Sequence, residues 1–429
     1  MHTNPIFSLV DVNNFYVSVE RVFNPKLDGK PMVVLSNNDG CVVARSAEVR
    51  ALGVKMGEPW FKLHNLAKEH GIVAYSSNYT LYGDVSNRVV QVLKRFSPDM
   101  EVYSIDESFL RVENVLPLYD SAITFGQTIR LTIRRDIGLP VCVGFGSSKT
   151  LAKFANFLAK KNPEFDGVCD LTGMSAGEQR YWMAKTEVGE IWGIGRRLAK
   201  RLNEMQIHSV LDLTQACPKR LRERFGVVME RTIAELNGES ALALEDVAPT
   251  KKQIMNSRSF GELVTEPSVL RAAIAHHVER ATEKLRLQQS LAGAVLVFIH
   301  TNRFRLEDRQ YQPSVVVPLP MATDDTCQIS RYALLGLRNI YKQGYNYKKA
   351  GVMLMELSPK AHQQVTLFDS PAHLAKSERL MSVLDRINRT WGQDTIRTGA
   401  TSLYGGAAMK AELKSPRYTT RWGELPVVY

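Results

Sequence analysis

Long apolar segments and paired cysteines are both missing from this chain of 429 residues. No apolar run approaches the ~18 residues that a membrane-spanning helix needs. The first twelve residues have no basic flank and include Asp11, so they do not resemble a secretory signal. The five cysteines are scattered and form no Cys-x-x-Cys pair, which argues against a disulfide framework and a structural zinc site. We therefore expect a cytoplasmic protein.

The composition is that of a chain that builds a hydrophobic core. Hydrophobic residues make up 44% and charged residues 23%, which excludes a mainly disordered or fibrous protein. No internal repeat or low-complexity tract stands out. The length is about three times that of a typical domain, so we expect two to four domains.

Positive charge is concentrated in the second part of the chain. Residues 1–250 carry 30 basic and 29 acidic side chains, whereas residues 251–429 carry 25 and 15. An uneven basic excess favours a polyanionic partner, with nucleic acid and acidic lipid as the leading classes. A solubilising surface is the alternative interpretation.

Hydrophobic patterning predicts three successive regions. Up to about residue 170 we expect strands at 6–10, 31–35, 102–112 and 141–145, and a helix at 148–161 that ends at Asn162-Pro163. Residues 173–245 have a helical pattern with short loops. From 253 to 357 the predicted order is strand, helix, strand, strand, helix, strand, which is a compact ferredoxin-like unit. The fold class is therefore α+β with several domains.

Three carboxylates are the strongest candidates for chemistry. Asp11 ends an apolar strand, and the adjacent pair Asp106-Glu107 interrupts the strand predicted at 102–112. Adjacent strand residues point to opposite faces, so this pair shares a ligand only if the chain turns there, and Ser104 and Ser108 tolerate such a bend. Mg²⁺ prefers oxygen ligands, and two such ions can stabilise both the attacking and the leaving oxygen of a phosphoryl displacement. Spacing alone also fits a solvated turn and, at Asp11, a helix cap.

Two glycine-containing stretches do not fit the known nucleotide-binding loops. Gly193-Ile-Gly195 lacks the third glycine of a dinucleotide fingerprint. In the stretch 144–150, Ser148 stands where a phosphate-binding loop needs glycine. Neither stretch therefore predicts a bound nucleotide.

Several motifs resemble those of the Y-family translesion DNA polymerases. Residues 11–16 (Asp-Val-Asn-Asn-Phe-Tyr) and 103–108 (Tyr-Ser-Ile-Asp-Glu-Ser) resemble the two metal-binding motifs of that family. Residues 141–160 resemble its palm helix, and residues 53–57 its finger motif. Residues 35–41, 192–197, 257–261 and 415–421 look like the UmuC branch of the family. The resemblance extends in the same order along nearly the whole chain.

The resemblance implies a right-hand polymerase architecture. The implied parts are a ferredoxin-like palm (1–22 and 80–170), small fingers (23–79), a helical thumb with a helix-hairpin-helix (171–247), a β-α-β-β-α-β little finger (250–358) and a C-terminal extension with a clamp-binding motif (359–429). The basic little finger would contact the DNA backbone, in agreement with the charge of this region.

The resemblance also implies roles for individual residues around the nascent base pair. Two Mg²⁺ ions would be held by Asp11, the Val12 carbonyl, Asp106 and Glu107, the last two being catalytic. The implied substrate-binding residues are Phe15, Tyr16, Arg50 and Lys160, with Tyr16 as a steric gate against the ribose 2′-hydroxyl and the two cations on the triphosphate. The implied roof over the nascent pair is formed by Cys41, Val43 and Gly57. Ala47 stands where many family members have a tyrosine, so the phosphate contact of that tyrosine is not implied here.

Further implied contacts involve DNA and protein partners. Gly193 and Gly195 would present backbone N–H groups to a DNA phosphate at a helix start, and Arg258 would contact DNA from the little finger. Residues 364–368 resemble the motif by which bacterial polymerases dock on the β sliding clamp, with Gln364, Leu367 and Phe368 as the contacts. The extension implies contacts with a UmuD′-like accessory dimer and the RecA filament.

The expected function is template-directed, error-prone DNA synthesis on primer-template DNA with deoxynucleoside triphosphates. It would place nucleotides opposite damaged bases, in translesion synthesis and SOS mutagenesis, by two-metal-ion phosphoryl transfer. The alternatives are another palm-fold nucleotidyl transferase or cyclase, a two-metal nuclease, and a non-catalytic DNA-binding adaptor, because fold alone does not settle function.

Overall fold

The computed structural model describes residues 5–245, 250–362, 371–401 and 410–426, and these form two compact units. The first unit takes its described residues from Met1–Ser36, Gly40–Ala248 and Leu413–Tyr429. The second takes them from Asn37–Asp39 and Pro249–Glu412. Both units mix helices and strands, so the α+β class predicted from the sequence is confirmed.

The first unit is built on two β-sheets. Its strands are β1 (Phe7–Val12), β2 (Met32–Leu35), β3 (Val42–Arg45), β4 (Val73–Ser76), β5 (Met100–Val102), β6 (Glu107–Arg111), β7 (Val141–Gly146) and β8 (Val168–Asp170). The larger sheet has the order β5-β6-β1-β7-β8, and the smaller sheet has the order β3-β2-β4. All six residues of the central strand β1 are buried. A strand covered on both faces has no solvent-exposed side, which explains why four of its six residues are apolar.

Helices cover both faces of the larger sheet. The helices of the first unit are α1 (Phe15–Phe23), α2 (Ala47–Ala51), α3 (His64–His70), α4 (Tyr79–Leu93), α5 (Ala122–Ile137), α6 (Lys149–Lys161), α7 (Ala176–Lys185), α8 (Arg196–Asn203), α9 (Val210–Gln215), α10 (Pro218–Phe225) and α11 (Val227–Leu236). One apolar core joins α1, α4 and α5 to the sheet. A second core joins α6 to the helices from α7 onwards. The helical stretch predicted at 173–245 is therefore confirmed.

Helix α6 is defined by local signals at both ends. The Ser148 side chain accepts a hydrogen bond from Leu151 N at 3.1 Å, and Asn162 ends the helix. Serine is a preferred N-cap because its oxygen satisfies an amide of the first turn. These contacts confirm the helix predicted at 148–161.

The predicted strand at 102–112 is in fact two antiparallel strands, β5 and β6, joined by a turn. The break was predicted at Asp106-Glu107, but it lies between Val102 and Glu107. Asp106 is therefore in the turn, and Glu107 begins β6. The Ser104 hydroxyl donates to Asp106 Oδ1 at 2.6 Å and accepts from Glu107 N at 3.1 Å. A serine that bonds its own backbone in this way stabilises a turn, as the predicted bend required.

The second unit has the predicted order of elements. These are β9 (Ile254–Val264), α12 (Pro267–Leu287), β10 (Ser290–Thr301), β11 (Ser314–Thr323), α13 (Thr326–Ile340) and β12 (Tyr347–Pro359). The sheet order is β11-β10-β12-β9, with all neighbours antiparallel. The two strands that a helix connects are not neighbours in the sheet, because one other strand lies between them. This is a split β-α-β arrangement.

The C-terminal part of the chain contributes to both units. Helix α14 (Pro371–Trp391) belongs to the second unit, where Asp385 accepts two hydrogen bonds of 2.7 Å from Arg286. The segment that begins at Leu413 belongs to the first unit, where Tyr418 stacks on Phe23 at 4.9 Å between ring centroids. Within the described ranges, no helix has the length and hydropathy required to cross a membrane.

Candidate active site

The larger sheet brings the three predicted carboxylates to one place. Asp11 of β1 and Glu107 of β6 are directly opposed across an antiparallel pair. Side chains in such a position share a face, with Cβ atoms about 4.5–5.5 Å apart. Asp106 directly precedes β6, and its carbonyl accepts a hydrogen bond from Val12 N at 2.9 Å. Strand pairing thus unites two motifs that are far apart in the sequence.

Two lysines of α6 reach these carboxylates. Lys160 Nζ lies 2.5 Å from Asp11 Oδ1, and Lys153 Nζ lies 2.9 Å from Glu107 Oε1. Seven residues span about two helical turns, so both lysines lie on the same helix face. Lys160 was predicted as a triphosphate contact, and here it neutralises Asp11. The role of Lys153 was not predicted, although its spacing from Lys160 indicated a shared face.

Asp11 is a buried carboxyl group with a perturbed pKa. Its side chain is buried, and burial raises the pKa of Asp11 to about 7, although the Lys160 ammonium opposes this shift. The nearby carboxylates of Glu107 and Asp106 raise the pKa further. A buried carboxylate beside like charges is stabilised by an added cation.

The carboxylates match Mg²⁺ in chemistry but are not arranged around a metal ion. In the described part of the chain, no group of three or more His, Cys, Asp or Glu side chains has a metal-binding arrangement. Asp11 and Glu107 are instead neutralised by lysines. The possible ligand atoms at this end of β1 and β6 are all oxygens, which Mg²⁺ prefers. The residues are therefore chemically suited to the ion.

A cavity of about 410 Å³ adjoins the carboxylates. Many of the predicted site residues line it, namely Asp11, Val12, Phe15, Tyr16, Val43, Arg50, Asp106 and Lys160. Arg50 is directed by a hydrogen bond from its guanidinium to Asn14 Oδ1 at 3.2 Å. The cavity therefore combines acidic groups, cations and an aromatic ring, which a metal-bound triphosphate and its sugar require.

The Tyr16 ring in this cavity is held by other tyrosines. It stacks on Tyr82, with centroids 4.4 Å apart and planes 18° apart, and meets the edge of Tyr79 at 6.0 Å. Tyr82 is fully buried, and its hydroxyl donates to Glu20 Oε1 at 2.7 Å. These supporting residues were missed from the sequence, although Tyr79 and Tyr82 have the spacing of neighbours on one helix face.

Two of the three predicted roof residues do not line the cavity. Val43 does, whereas Cys41 and Gly57 lie beside it in the strand pairing around β3. Cys41 forms an isolated bridge with Pro59, and Gly57 N donates to the Val42 carbonyl at 2.8 Å. Gly57 has a φ of 79°, which glycine adopts without strain.

The predicted DNA-contacting glycines precede a strongly basic helix. Gly193 has a φ of 87°, and Gly195 is the N-cap of α8, whose sequence is Arg-Arg-Leu-Ala-Lys-Arg-Leu-Asn. Backbone amides and basic side chains at a helix start favour an anion. The indole N–H of Trp192 donates to the Tyr103 hydroxyl at 3.1 Å, which ties this loop to the turn that carries Asp106.

The remaining predicted contacts lie elsewhere. Arg258 is half-buried in β9, where it is paired with Ala350 of β12. Gln364, Leu367 and Phe368 lie outside the described residues. The clamp-binding motif therefore stays a prediction.

Comparisons with known proteins identify relatives along nearly the whole chain. Residues 10–156 match the impB/mucB/samB family, residues 251–367 match the impB/mucB/samB family C-terminal domain, and residues 378–428 match a domain of unknown function. Protein UmuC of Salmonella typhimurium is 44% identical, over 98% of this chain and 99% of its own. Protein SamB of the same species is 43% identical over the same shares.

More distant relatives share the fold. DNA polymerase IV of Pelotomaculum thermopropionicum is 28% identical over 90% of this chain and 93% of its own. Among solved structures, a Y-family DNA polymerase chimera superposes with a TM-score of 0.67 at 23% identity, over 82% of this chain and 99% of its own. An insertion ternary complex of Dbh DNA polymerase has a TM-score of 0.54, also at 23% identity and over the same shares.

Proposed function

The chain belongs to the impB/mucB/samB family, and on that premise we propose that it adds deoxynucleotides opposite damaged template bases in the SOS response. The predicted resemblance to the Y-family DNA polymerases and their UmuC branch is confirmed. One observation carries the proposal: Asp11, Asp106, Tyr16, Arg50 and Lys160 converge on a single cavity. This combination suits a templated nucleotide better than a small metabolite.

We propose that the chemistry is two-metal-ion phosphoryl transfer. Asp11, the Val12 carbonyl, Asp106 and Glu107 would hold two Mg²⁺ ions, and Lys160, whose Nζ lies 2.5 Å from Asp11 Oδ1, would contact the triphosphate. When bound, Mg²⁺ supplies charge stabilisation to the attacking and leaving oxygens. Arg50 would hold the triphosphate by its planar guanidinium.

Replacing one carboxylate tests the catalytic assignment. We expect Asp106→Asn to lower Mg²⁺-dependent single-nucleotide insertion by at least about 100-fold, because the loss of one ligand charge removes several kcal/mol of transition-state stabilisation. Primer-template affinity should remain within about twofold, since phosphate contacts to basic groups dominate DNA binding. The measurements are pre-steady-state insertion and DNA binding by anisotropy.

The matched control is Asp120→Asn, which removes the same charge from an exposed position of the same unit. It should insert nucleotides at the rate of the unmodified protein. Normal insertion by Asp106→Asn would contradict the metal assignment. Absence of insertion by the unmodified protein, with DNA binding intact, would favour a non-catalytic adaptor.

We further propose that Tyr16 is a steric gate for the sugar. Its ring faces the cavity and is held in place by Tyr82. Tyr16→Ala should raise the ratio of ribonucleotide to deoxynucleotide insertion by at least about tenfold, whereas Tyr16→Phe, which keeps the ring, should leave it unchanged. The tenfold figure corresponds to about 1.4 kcal/mol of lost steric discrimination. Equal ratios in both variants would show that the ring does not select the sugar.

We propose the right-hand division of the chain as its working architecture. The palm would be 1–22 and 80–170, the fingers 23–79, the thumb 171–247, the little finger 250–358 and the extension 359–429. Gly193, Gly195 and Arg258 would contact DNA, and Cys41, Val43 and Gly57 would flank the nascent pair. The separate apolar core around β2 supports distinct fingers, whereas the core of helices α7 to α11 also includes α6 of the palm.

We propose primer-template DNA and deoxynucleoside triphosphates as substrates. One structural neighbour is an insertion ternary complex of a DNA polymerase, which supports this class of substrate. The β sliding clamp, through Gln364, Leu367 and Phe368, a UmuD′-like dimer and the RecA filament are proposed as protein partners. Their support is the family membership of the chain.

A further inference from the structure

The C-terminal segment that begins at Leu413 is hydrogen-bonded to the corner between β4 and α4. Ser76 N donates to the Leu413 carbonyl at 3.1 Å, and Leu413 N donates to the Ser76 hydroxyl at 3.0 Å. The Asn78 side-chain amide donates to both the carbonyl and the hydroxyl of Ser415, each at 3.0 Å. Asn78 and Ser415 are both buried. The segment is therefore an integral part of the first unit.

Ser415 also contacts a buried acid on α1. The Ser415 hydroxyl donates to Glu20 Oε1 at 2.9 Å, and the Tyr82 hydroxyl donates to the same oxygen at 2.7 Å. Glu20 is 2% exposed, and no lysine or arginine of the described residues forms an ion pair with it. Burial raises the pKa of Glu20, while the two hydroxyls oppose that shift. The position of this carboxyl group thus depends on two hydroxyl donors.

The second of these donors supports the ring in the active-site cavity. The Tyr82 ring stacks on Tyr16, and its hydroxyl is anchored by Glu20. An unbroken chain of contacts therefore leads from Ser415 through Glu20 and Tyr82 to Tyr16. Every member belongs to the first unit.

We propose that Ser415, in the C-terminal extension, is a positioning residue for sugar selectivity. It fixes Glu20, Glu20 fixes the Tyr82 hydroxyl, and Tyr82 sets the position of the Tyr16 ring. This inference rests on the proposed role of Tyr16 as a steric gate. It assigns to the extension a role in substrate choice in addition to any partner docking.

Small displacements are sufficient for such an effect. A ring excludes a 2′-hydroxyl only while it stays in van der Waals contact with the sugar. A radial gap of about 0.5–1 Å already forfeits a quarter to a half of a van der Waals contact. Loss of one of the two hydroxyls on Glu20 removes one of the restraints on its carboxylate and, through it, on Tyr82.

The experiment compares sugar selectivity in variants of the full-length chain. Single insertion of dCTP and CTP opposite a template guanine is measured, and kcat and KM are determined for each nucleotide. We expect Ser415→Ala to raise the CTP-to-dCTP ratio of kcat/KM by about two- to tenfold, the range set by one net hydrogen bond. The change should appear mainly in CTP insertion. Ser415→Thr, which retains the hydroxyl, should restore the ratio.

A matched control and an independent variant distinguish a positioning role of Ser415 from a general destabilisation of the C-terminal segment. Thr420→Ala removes a hydroxyl from an exposed residue of the same segment and should leave the ratio unchanged. Tyr82→Phe keeps the stacked ring but removes the other donor to Glu20, and should shift the ratio in the same direction. Because both donors act through Glu20, the double variant should show less than the product of the single effects.

The outcomes distinguish this inference from the proposal on which it rests. An unchanged ratio in Ser415→Ala and Tyr82→Phe, together with a raised ratio in Tyr16→Ala, would overturn the positioning role and leave the steric gate intact. An unchanged ratio in Tyr16→Ala as well would overturn the gate. Equal shifts in Ser415→Ala and Thr420→Ala would also overturn the positioning role, because they would indicate a segment-wide effect.

Discussion

At the scale of single residues, buried polar groups determine several properties that an apolar pattern does not reveal. His277 recurs with the apolar positions of α12, and it is 2% exposed in the structure. Its Nδ1 lies 2.7 Å from Asn256 Oδ1, and its Nε2 has no hydrogen-bond partner among the described residues. Burial lowers the pKa of His277 from 6.5 to about 3, and the neighbouring His276 and Arg258 contribute to this shift.

This depressed pKa predicts a pH-dependent stability. Above pH 6.5 the His277 ring is neutral in both the folded and the unfolded chain. Below pH 6.5 only the unfolded chain takes up the proton, so stability falls as the pH is lowered towards about 3. Between pH 7 and pH 5, the unmodified protein should lose about 2 kcal/mol more unfolding free energy than His277→Gln. Chemical denaturation at both pH values measures the difference.

The control for this prediction is His208→Gln, which replaces an exposed histidine with the same residue. Its stability should fall with acidification as steeply as that of the unmodified protein. Equal pH slopes for His277→Gln and the unmodified protein would show that His277 is already protonated or accessible in the folded state.

At the scale of elements, the position of α6 against β7 decides where the active-site lysines lie. Two glycines of β7 permit this packing. A Cβ atom at Gly144 would lie 2.1 Å from Asn156 N, and one at Gly146 would lie 2.6 Å from Ala152 N. Because these neighbours are backbone atoms of α6, a side chain in β7 would push the whole helix away from the sheet. Lys153 and Lys160 would move with it.

Gly144→Ala should therefore impair both stability and catalysis. We expect a loss of about 1–3 kcal/mol in unfolding free energy from overpacking, with a fall in nucleotide insertion because a displaced α6 would carry Lys160 away from its proposed triphosphate contact. The control is Gly83→Ala in α4, where a Cβ meets nothing within 4 Å and which should stabilise the helix by about 0.5–1 kcal/mol. Urea denaturation and insertion kinetics measure both effects. An unchanged stability of Gly144→Ala would mean that α6 shifts without cost.

At the scale of the whole molecule, charge differs between the two ends of the chain. Residues 251–358 carry 15 basic and 9 acidic side chains, whereas residues 1–140 carry 15 of each. Phosphate contacts release counterions, so the dependence of DNA affinity on salt reports how many basic groups engage the backbone. The distribution predicts that neutral substitutions in the second unit weaken DNA binding more than equal substitutions in the first.

Two triple variants test this expectation. The first replaces exposed basic residues of the second unit with glutamine, at Lys251, Lys252 and Arg309. The second makes the same change in charge in the first unit, at Lys26, Lys30 and Lys94. The slope of log affinity against log salt should fall by about 0.9 for each lost duplex contact in the first variant and remain constant in the second. Equal slopes in both variants would mean that the basic excess of the second unit does not serve DNA binding.

Much of the molecule was predictable from its sequence because the signals are local. Ser148 and Asn162 bound α6 through contacts within a turn of the helix, and the order of elements from β9 to β12 follows from periodicity. The buried strand before Asp11 and the bend that includes Asp106 were also predicted. The single strand predicted at 102–112 was wrong for a local reason too. Apolar and polar residues alternate in the same way in one long strand and in the two short strands of a hairpin.

The motifs around Asp11 and Asp106 also indicated the polymerase family, whereas only the tertiary structure shows which side chains meet. The pairing of Lys160 with Asp11, the support of Tyr16 by Tyr82 and the contact of Ser415 with Glu20 join residues that are distant in the chain. Such contacts depend on strand register and helix packing, since a shift of one residue turns a strand's side chains to the opposite face. Sequence spacing therefore determines the elements and their chemistry, and packing determines their partners.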